Sequence, residues 1–196
     1  ERWNTGPIPT GGYVPAVPTR ALGAALAPRD PLAVTAHFPR PAMIGAADVL
    51  VDVVKVGKTF ATATARVVQQ GDERLVVVAT FGDLSTLSGP THVEGEPPRV
   101  PEDDARSDLR ASAALPEIAR RFRQQLAPET MRWTTGERTE RAEIRGRLRF
   151  ADGRDPDALS LVLFADSLPP PVFNVIDVGW VPTLELSVQV RARPSP

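Results

Sequence analysis

Residues 155–191 read DPDALSLVLFADSLPPPVFNVIDVGWVPTLELSVQVR, and this stretch decides the fold that we predict. Its first part has the signature of a helix start. Asp155 suits the N-cap, Pro156 suits the first helical position, and Asp157 puts negative charge in the first turn, where the helix dipole favours it. Three consecutive prolines follow, and they stop the helix because proline has no amide proton to donate.

The body of this predicted helix is apolar on almost every side, which means that other elements must wrap it. Asp166 is a lone carboxylate near its end. Burial and the negative end of the helix dipole both disfavour the charged form, so we expect the pKa of Asp166 to be raised toward that of a useful general base. The alternative is a carboxylate held by hydrogen bonds in a structural role. The apolar residues that form the body of this predicted helix are Leu159, Leu161, Val162, Leu163, Phe164, Ala165 and Leu168.

The last part of the stretch, residues 183–191, alternates apolar and polar residues and predicts a strand. Thr183 starts it, and we expect Glu185 on its polar face to be exposed or paired with an arginine. The apolar face, directed at the core, consists of Leu184, Leu186, Val188 and Val190.

The N-terminal part of the chain predicts one helix followed by four strands. Thr10-Gly11-Gly12 leads into an apolar segment of helical length over 13–26, and Pro15 and Pro18 should make this helix start late or bend. Short turns between long alternating segments imply an antiparallel meander, and we expect its last strand to be buried on both faces. The predicted strands cover residues 32–38, 47–56, 59–70 and 74–81.

Between the two parts the chain becomes polar and rich in proline, which is typical of a linker. Within it, residues 114–127 are interpreted as a short helix or an irregular cover. A half-exposed strand is predicted over 141–150. The domain prediction is an N-terminal unit at 1–82, a linker at 83–130 and a C-terminal unit at 131–196.

Composition excludes several classes of function. The net charge of −1 gives no basic surface for nucleic acid, and the absence of cysteine removes disulfides and thiolate chemistry. His37 and His92 are far apart in sequence and resemble no metal site. No apolar run reaches the roughly 18 residues of a membrane span, and the first residues do not resemble a signal peptide. We therefore expect a cytoplasmic protein without cofactor, metal or stable membrane association.

The two parts share an order of features, with Trp and Thr-Gly in a loop, then a helix, a strand, and a basic residue followed by proline. This internal repeat predicts an α+β double hotdog, two repeats each with a long helix wrapped by an antiparallel sheet. Compared with each other, the repeats predict that one strand is missing before the first helix and about three after Pro196, so that the second repeat is incomplete.

Four segments in this order resemble the acyl-CoA thioesterase II-like, double-hotdog family. They are GGYVPAVPTRAL (11–22), FPRPAMIGAADVLVDVVKVGKTFATATARVVQQGD (38–72), LSLVLFADSLPPPVF (159–173) and GWVPTLELSVQVRARP (179–194). The resemblance implies hydrolysis of fatty acyl-CoA to free acid and coenzyme A, with acyl-CoA as the partner and a homo-oligomer as the assembly.

The resemblance also implies the catalytic residues. The family uses a carboxylate on the second helix, a hydroxyl at the start of the next strand and a glutamine on the last strand to activate one water. The carboxylate matches Asp166 and the hydroxyl matches Thr183, whereas the glutamine is expected beyond Pro196. For the oxyanion we expect backbone N–H groups at the start of the first helix, from Gly11, Gly12 and Tyr13. Tight loop packing is the alternative role of the glycines.

Two other functions stay open. An acyl-binding hotdog could keep the acyl tunnel without hydrolysing the thioester. The run HFPRPAMIGA at 37–46 is similar to the HFPG-type segment of hotdog 3-hydroxyacyl dehydratases, in which the histidine is catalytic. Here a strand pattern follows the segment instead of a helix, which argues against His37 as a dehydratase base.

Overall fold

A computed structural model of the chain describes residues 3–26, 29–96, 100 and 116–194. The main element is a five-stranded antiparallel sheet formed by β3 (Asp30–His37), β4 (Asp48–Val56), β5 (Ala61–Gln69), β6 (Asp72–Gly82) and β9 (Glu185–Gln189). The strands lie in the order β4-β5-β6-β3-β9. The predicted α+β class is confirmed. The predicted meander holds for β4, β5 and β6, whereas β3 crosses over to pair with β6 and does not lie beside β4.

Smaller elements surround this sheet. They are β1 (Asn4–Thr5), β2 (Ile8–Pro9), α1 (Tyr13–Ala25), β7 (Phe122–Leu126), β8 (Gly146–Phe150) and α2 (Ala158–Phe164). β1 pairs with β2 and β7 pairs with β8 in two short ribbons, and the helices α1 and α2 contact each other. No helix in the part of the chain that the structure describes is both long enough and apolar enough to cross a membrane.

The α1 helix forms where the sequence predicts it, in spite of its two prolines. Pro15 lies in the first turn, where amide protons have no partner within the helix, so its missing donor is tolerated. Pro18 lies inside the helix, and the hydroxyl of Thr19 donates to the Pro15 carbonyl at 2.7 Å. Leu22 is fully buried in the core. Contact with the sheet therefore offsets the poor helix propensity of this segment.

The face of the sheet that α1 covers is built from small residues. Ala61, Ala63 and Ala65 of β5 are all at most 1% exposed, and the intervening Thr62, Thr64 and Arg66 are more exposed. This alternation is the one predicted for β5. Small side chains on one face of a strand let a helix approach closely. The prediction that β6 is buried on both faces is wrong. Val78 is 46% exposed, and only one face of the strand is fully buried.

The α2 helix is shorter than predicted and begins later. Asp157 is its N-cap, in place of Asp155, because Asp157 has extended backbone and its side chain accepts a hydrogen bond from the Ser160 amide at 2.7 Å. The Ser160 hydroxyl accepts from the Asp157 amide in return, completing a capping box. The helix buries one side against α1 and β3, and the half-buried Leu161 shows that the predicted all-round wrapping is incomplete within the described residues.

Part of the predicted linker forms a strand that the sequence did not indicate. Glu117–Arg121 form a 3-10 helix, and β7 then pairs with β8 along its whole length. The interpretation of 114–127 as a helix or an irregular cover is thus wrong for β7. Predicted linker residues 97–99 and 101–115 lie outside the described part of the chain. Beneath this ribbon an aromatic cluster is formed by Trp3, Tyr13, Phe122, Phe150 and Phe164.

The β9 strand joins the two parts of the chain. It pairs with β3 in antiparallel register, with His37 opposite Glu185 and Ala33 opposite Gln189. Val190 is buried as predicted, but Leu184 is 71% exposed, so its predicted core position is wrong. Because β3 belongs to the N-terminal unit, this pairing places the residues just before β9 beside that unit.

The capping box gives a first testable prediction. Asp157→Ala removes the side-chain acceptor of the α2 N-terminus and should lower the free energy of unfolding by about 1 kcal/mol. Asp155→Ala is the matched control, because that side chain is exposed and makes neither capping bond. Urea denaturation followed by circular dichroism measures both. Equal losses for the two variants would contradict the assignment of the cap.

Candidate active site

Asp166 lies at the C-terminal end of α2, in contact with residues from both parts of the chain. Its Oδ1 accepts a hydrogen bond from the Thr183 hydroxyl at 3.2 Å, and its carboxylate also accepts from the Gly12 backbone N–H. Burial raises the pKa of Asp166, and the hydrogen bonds from Thr183 and Gly12, which favour the charged form, offset part of that rise. The upward shift of the Asp166 pKa that the sequence predicts thus agrees with the environment of this carboxyl group.

The end of α2 fixes the backbone of Asp166. Ala165 is the C-cap, and the Asp166 amide donates to the Leu163 carbonyl at 3.4 Å. The Ser167 hydroxyl donates to the same carbonyl at 2.7 Å. Prolines at 169–171 prevent further helix, so the chain turns away directly after the carboxylate.

Thr183 reaches Asp166 because β9 is anchored on the N-terminal unit. The Phe38 amide donates to the Leu184 carbonyl at 3.0 Å, which extends the β3–β9 pairing to the residue beside Thr183. The threonine side chain is half-buried. Its hydroxyl donates to the carboxylate and keeps lone pairs available to accept a further hydrogen bond.

The two predicted glycines lie against this pair, and close approach explains both. A Cβ added to Gly11 would lie 2.6 Å from Asp166 Oδ2 and 2.6 Å from Thr183 Oγ1. A Cβ added to Gly12 would collide with the Leu163 carbonyl oxygen. Only glycine therefore allows the start of α1 to pack against the end of α2.

The three predicted oxyanion donors differ in availability. The Tyr13 amide donates to the Thr10 carbonyl at 3.1 Å, and its ring stacks on Trp3 with centroids 5.5 Å apart. The Gly12 amide faces Asp166. Among the described residues, no protein acceptor takes the Gly11 amide. The structure thus brings Asp166, Thr183, Gly11 and Gly12 together, and it engages Tyr13 elsewhere.

The histidines and Glu185 lie outside this cluster. His37 Nδ1 is 3.9 Å from Glu185 Oε2, and both side chains are 55% exposed. Glu185 is thus exposed as expected, with a histidine as its neighbour. His92 is exposed in the predicted linker, beside Glu94. Within the described ranges, no three His, Asp or Glu side chains gather closely enough to hold a metal ion.

Sequence reasoning missed Gln124 on β7. This side chain is 2% exposed, and its Nε2 donates to the carbonyl of Ser167, the residue after Asp166, at 3.0 Å. The alternation of Phe122, Gln124 and Leu126 was a signal that could have found it, because it places a polar residue between two apolar ones on one face of a strand.

Family models account for nearly the whole chain. Residues 1–82 match the acyl-CoA thioesterase N-terminal domain, and residues 94–196 match the acyl-CoA thioesterase C-terminal domain. The chain belongs to the acyl-CoA thioesterase family. The family resemblance predicted from the sequence is therefore confirmed. No curated protein matches the sequence.

Solved structures agree with this membership. A proposed thioesterase II from Thermobifida fusca YX is 26% identical, with a TM-score of 0.85 over 99% of this chain and 75% of that one. A hot dog fold protein of unknown function from Alicyclobacillus acidocaldarius is 21% identical, with a TM-score of 0.79 over 96% of this chain and 69% of that one. The tesB protein MAP1729c of Mycobacterium avium subs paratuberculosis is 19% identical, with a TM-score of 0.69 over 98% and 72% of the two chains. The fold of this acyl-CoA thioesterase family member is thus of the hotdog type.

The close packing at Gly11 gives a second prediction. Gly11→Ala places a methyl group between Asp166 and Thr183 and should lower the free energy of unfolding by about 1–3 kcal/mol. Gly89→Ala is the control, because an added Cβ there meets no atom within 4 Å. Its stability should change by no more than about 1 kcal/mol. Thermal denaturation of both variants makes the comparison, and a Gly11→Ala protein as stable as the control would contradict the packing described.

Proposed function

We propose that this chain is an acyl-CoA thioesterase that hydrolyses fatty acyl-CoA to free fatty acid and coenzyme A, with a water molecule activated by Asp166. One observation carries the proposal. A carboxylate of raised pKa, which contacts a hydroxyl and two close-packed glycines, stands where the parts of the chain that match the two thioesterase domains meet.

The geometry suggests a role for each group. Thr183 donates to Oδ1 of Asp166 and fixes the carboxylate, while Oδ2 faces Gly11. In the proposed reaction Asp166 accepts a proton from water as the water oxygen bonds to the thioester carbonyl carbon. The Gly11 amide is the available donor for the developing oxyanion. The carbon–sulfur bond then breaks, and the proton on Asp166 passes to the coenzyme A thiolate.

A thioester suits this modest set of groups. A thiol has a pKa of about 8.5, so its thiolate leaves without strong acid assistance. A base whose pKa lies nearer to neutral pH than that of an ordinary aspartate is better matched to removing a proton from water. The glutamine that the family resemblance places beyond Pro196 would complete the group that holds the water, and it stays a prediction.

The arrangement of two hotdog repeats is part of the proposal. It is supported by the β3–β9 pairing, which adds a strand of the C-terminal unit to the sheet of the N-terminal unit, and by the packing of α1 against α2. The predicted homo-oligomer, the cytoplasmic location and the domain bounds stay predictions.

Release of free thiol from a series of acyl-CoA chain lengths tests the proposed activity. Asp166→Asn should lower kcat by about 10²–10⁴-fold, because the amide cannot accept the proton from water. Asp52→Asn is the matched control, since Asp52 lies exposed on β4, and its kcat should equal that of the wild type.

Each contrary result has a distinct meaning. Undiminished turnover by Asp166→Asn would remove this carboxylate from the mechanism. Binding of acyl-CoA without thiol release at any chain length would favour the acyl-binding alternative. Formation of an enoyl product from a 3-hydroxyacyl substrate would favour a dehydratase that uses His37. Among the described interactions, His37 lies beside Glu185 and does not contact Asp166.

The pH dependence of kcat tests the environment of Asp166. Since the carboxylate must be ionised and its pKa is raised, activity should fall with decreasing pH at values above the ordinary aspartate pKa of about 3.9. Thr183→Val removes a hydrogen bond that favours the charged form, so the acidic limb should move to higher pH. A shift to lower pH, or none, would show that Thr183 does not act on this carboxylate.

A further inference from the structure

Gln124 occupies a position in β7 where the fold favours an apolar side chain. It lies between Phe122 and Leu126 on the inward face of the strand, and both neighbours are fully buried. Gln124 itself is only 2% exposed. Its long amide side chain is therefore removed from water almost completely, which is unfavourable unless its polar atoms are hydrogen-bonded.

The amide satisfies only half of this requirement. Nε2 donates to the Ser167 carbonyl at 3.0 Å, whereas Oε1 is buried and has no hydrogen-bond partner among the described residues. A buried acceptor without a partner lowers stability. The hydrogen bond from Nε2 to the Ser167 carbonyl is therefore the interaction that ties this amide to its surroundings, and its place in the fold suggests what the glutamine does.

That hydrogen bond acts on the turn that carries Asp166. Ser167 follows Asp166 directly, and its carbonyl lies past the end of α2, where carbonyl groups have no partner within the helix. From the α1 side, Gly12 packs against the Leu163 carbonyl and donates to the Asp166 carboxylate. From the β7 side, Gln124 holds the Ser167 carbonyl. The turn is thus fixed between two elements.

We propose that Gln124 is a positioning residue, which holds the Asp166 carboxylate in its catalytic orientation through the Ser167 carbonyl. The inference rests on the proposed function of Asp166 as the base. Gln124 is distinct from the glutamine expected beyond Pro196, since its Nε2 is engaged by the protein backbone.

Gln124→Met tests this role, because methionine has a similar length and cannot donate a hydrogen bond. The matched control is Gln125→Met, which changes the same residue type on the opposite, less buried face of the same strand. We expect Gln124→Met to lower kcat by about 10–100-fold, as a small displacement of a catalytic group does. KM for acyl-CoA should stay within about twofold, and the Tm should stay within about 4 °C of the Gln125→Met value.

A second pair of variants separates positioning from a general structural role. In the Asp166→Asn background, Gln124→Met should cause no further loss in single-turnover rate, because the group that it positions is already inactive. An equal loss in both backgrounds, a wild-type kcat for Gln124→Met, or a Tm more than about 5 °C below the control would each overturn the proposal.

The amide proton resonance of Gly12 can be measured without any turnover, so it tests this inference separately from the proposed function. The Gly12 amide donates to Asp166, so its proton resonance should move with the titration of that carboxylate. We expect Gln124→Met to change the position and titration of this resonance, and Gln125→Met to leave both unchanged. An unchanged resonance in Gln124→Met would overturn the positioning role. Absence of thiol release by the wild-type protein together with a changed Gly12 resonance would overturn the hydrolase and leave the positional coupling standing.

Discussion

The contact between the start of α1 and the end of α2 is the constraint on which the rest of this structure depends. Gly11 and Gly12 bring backbone to within contact of Asp166, and the Gly12 amide donates to its carboxylate. A side chain at either position would separate the two helices. The half-buried carboxylate is in turn stabilised by these donors, because an ionised group that is partly removed from water needs hydrogen bonds.

This contact makes the site a joint product of both thioesterase domains. The N-terminal unit has no carboxylate on its helix, and it contributes glycines and the strand that anchors β9. The C-terminal unit contributes Asp166 and Thr183. β7 lies in the part of the chain that matches the C-terminal domain, and its Gln124 reaches the turn after Asp166. Both matched domains thus converge on one carboxylate, although the large sheet lies mostly in the N-terminal domain.

Some of this could be predicted from sequence and some could not. Asp166 stands out because a charge within an apolar helical run is a local signal, and the alternation in β5 is local as well. The sequence alone places the helix start at Asp155, since Asp155 and Asp157 both suit an N-cap and the choice depends on the reciprocal bond with Ser160. β7 escapes prediction because its arginine, glutamines and leucine are good helix formers, and its pairing with the distant β8 overrides that propensity.

Single-turnover hydrolysis in water labelled with ¹⁸O, with enzyme in excess over acyl-CoA, tests the central claim most directly. If Asp166 activates a water molecule, the first fatty acid released carries one ¹⁸O atom and the peptide that contains Asp166 carries none. An unlabelled fatty acid together with ¹⁸O in the Asp166 side chain would show that the carboxylate attacks the thioester itself, which would contradict the role of Asp166 as a general base.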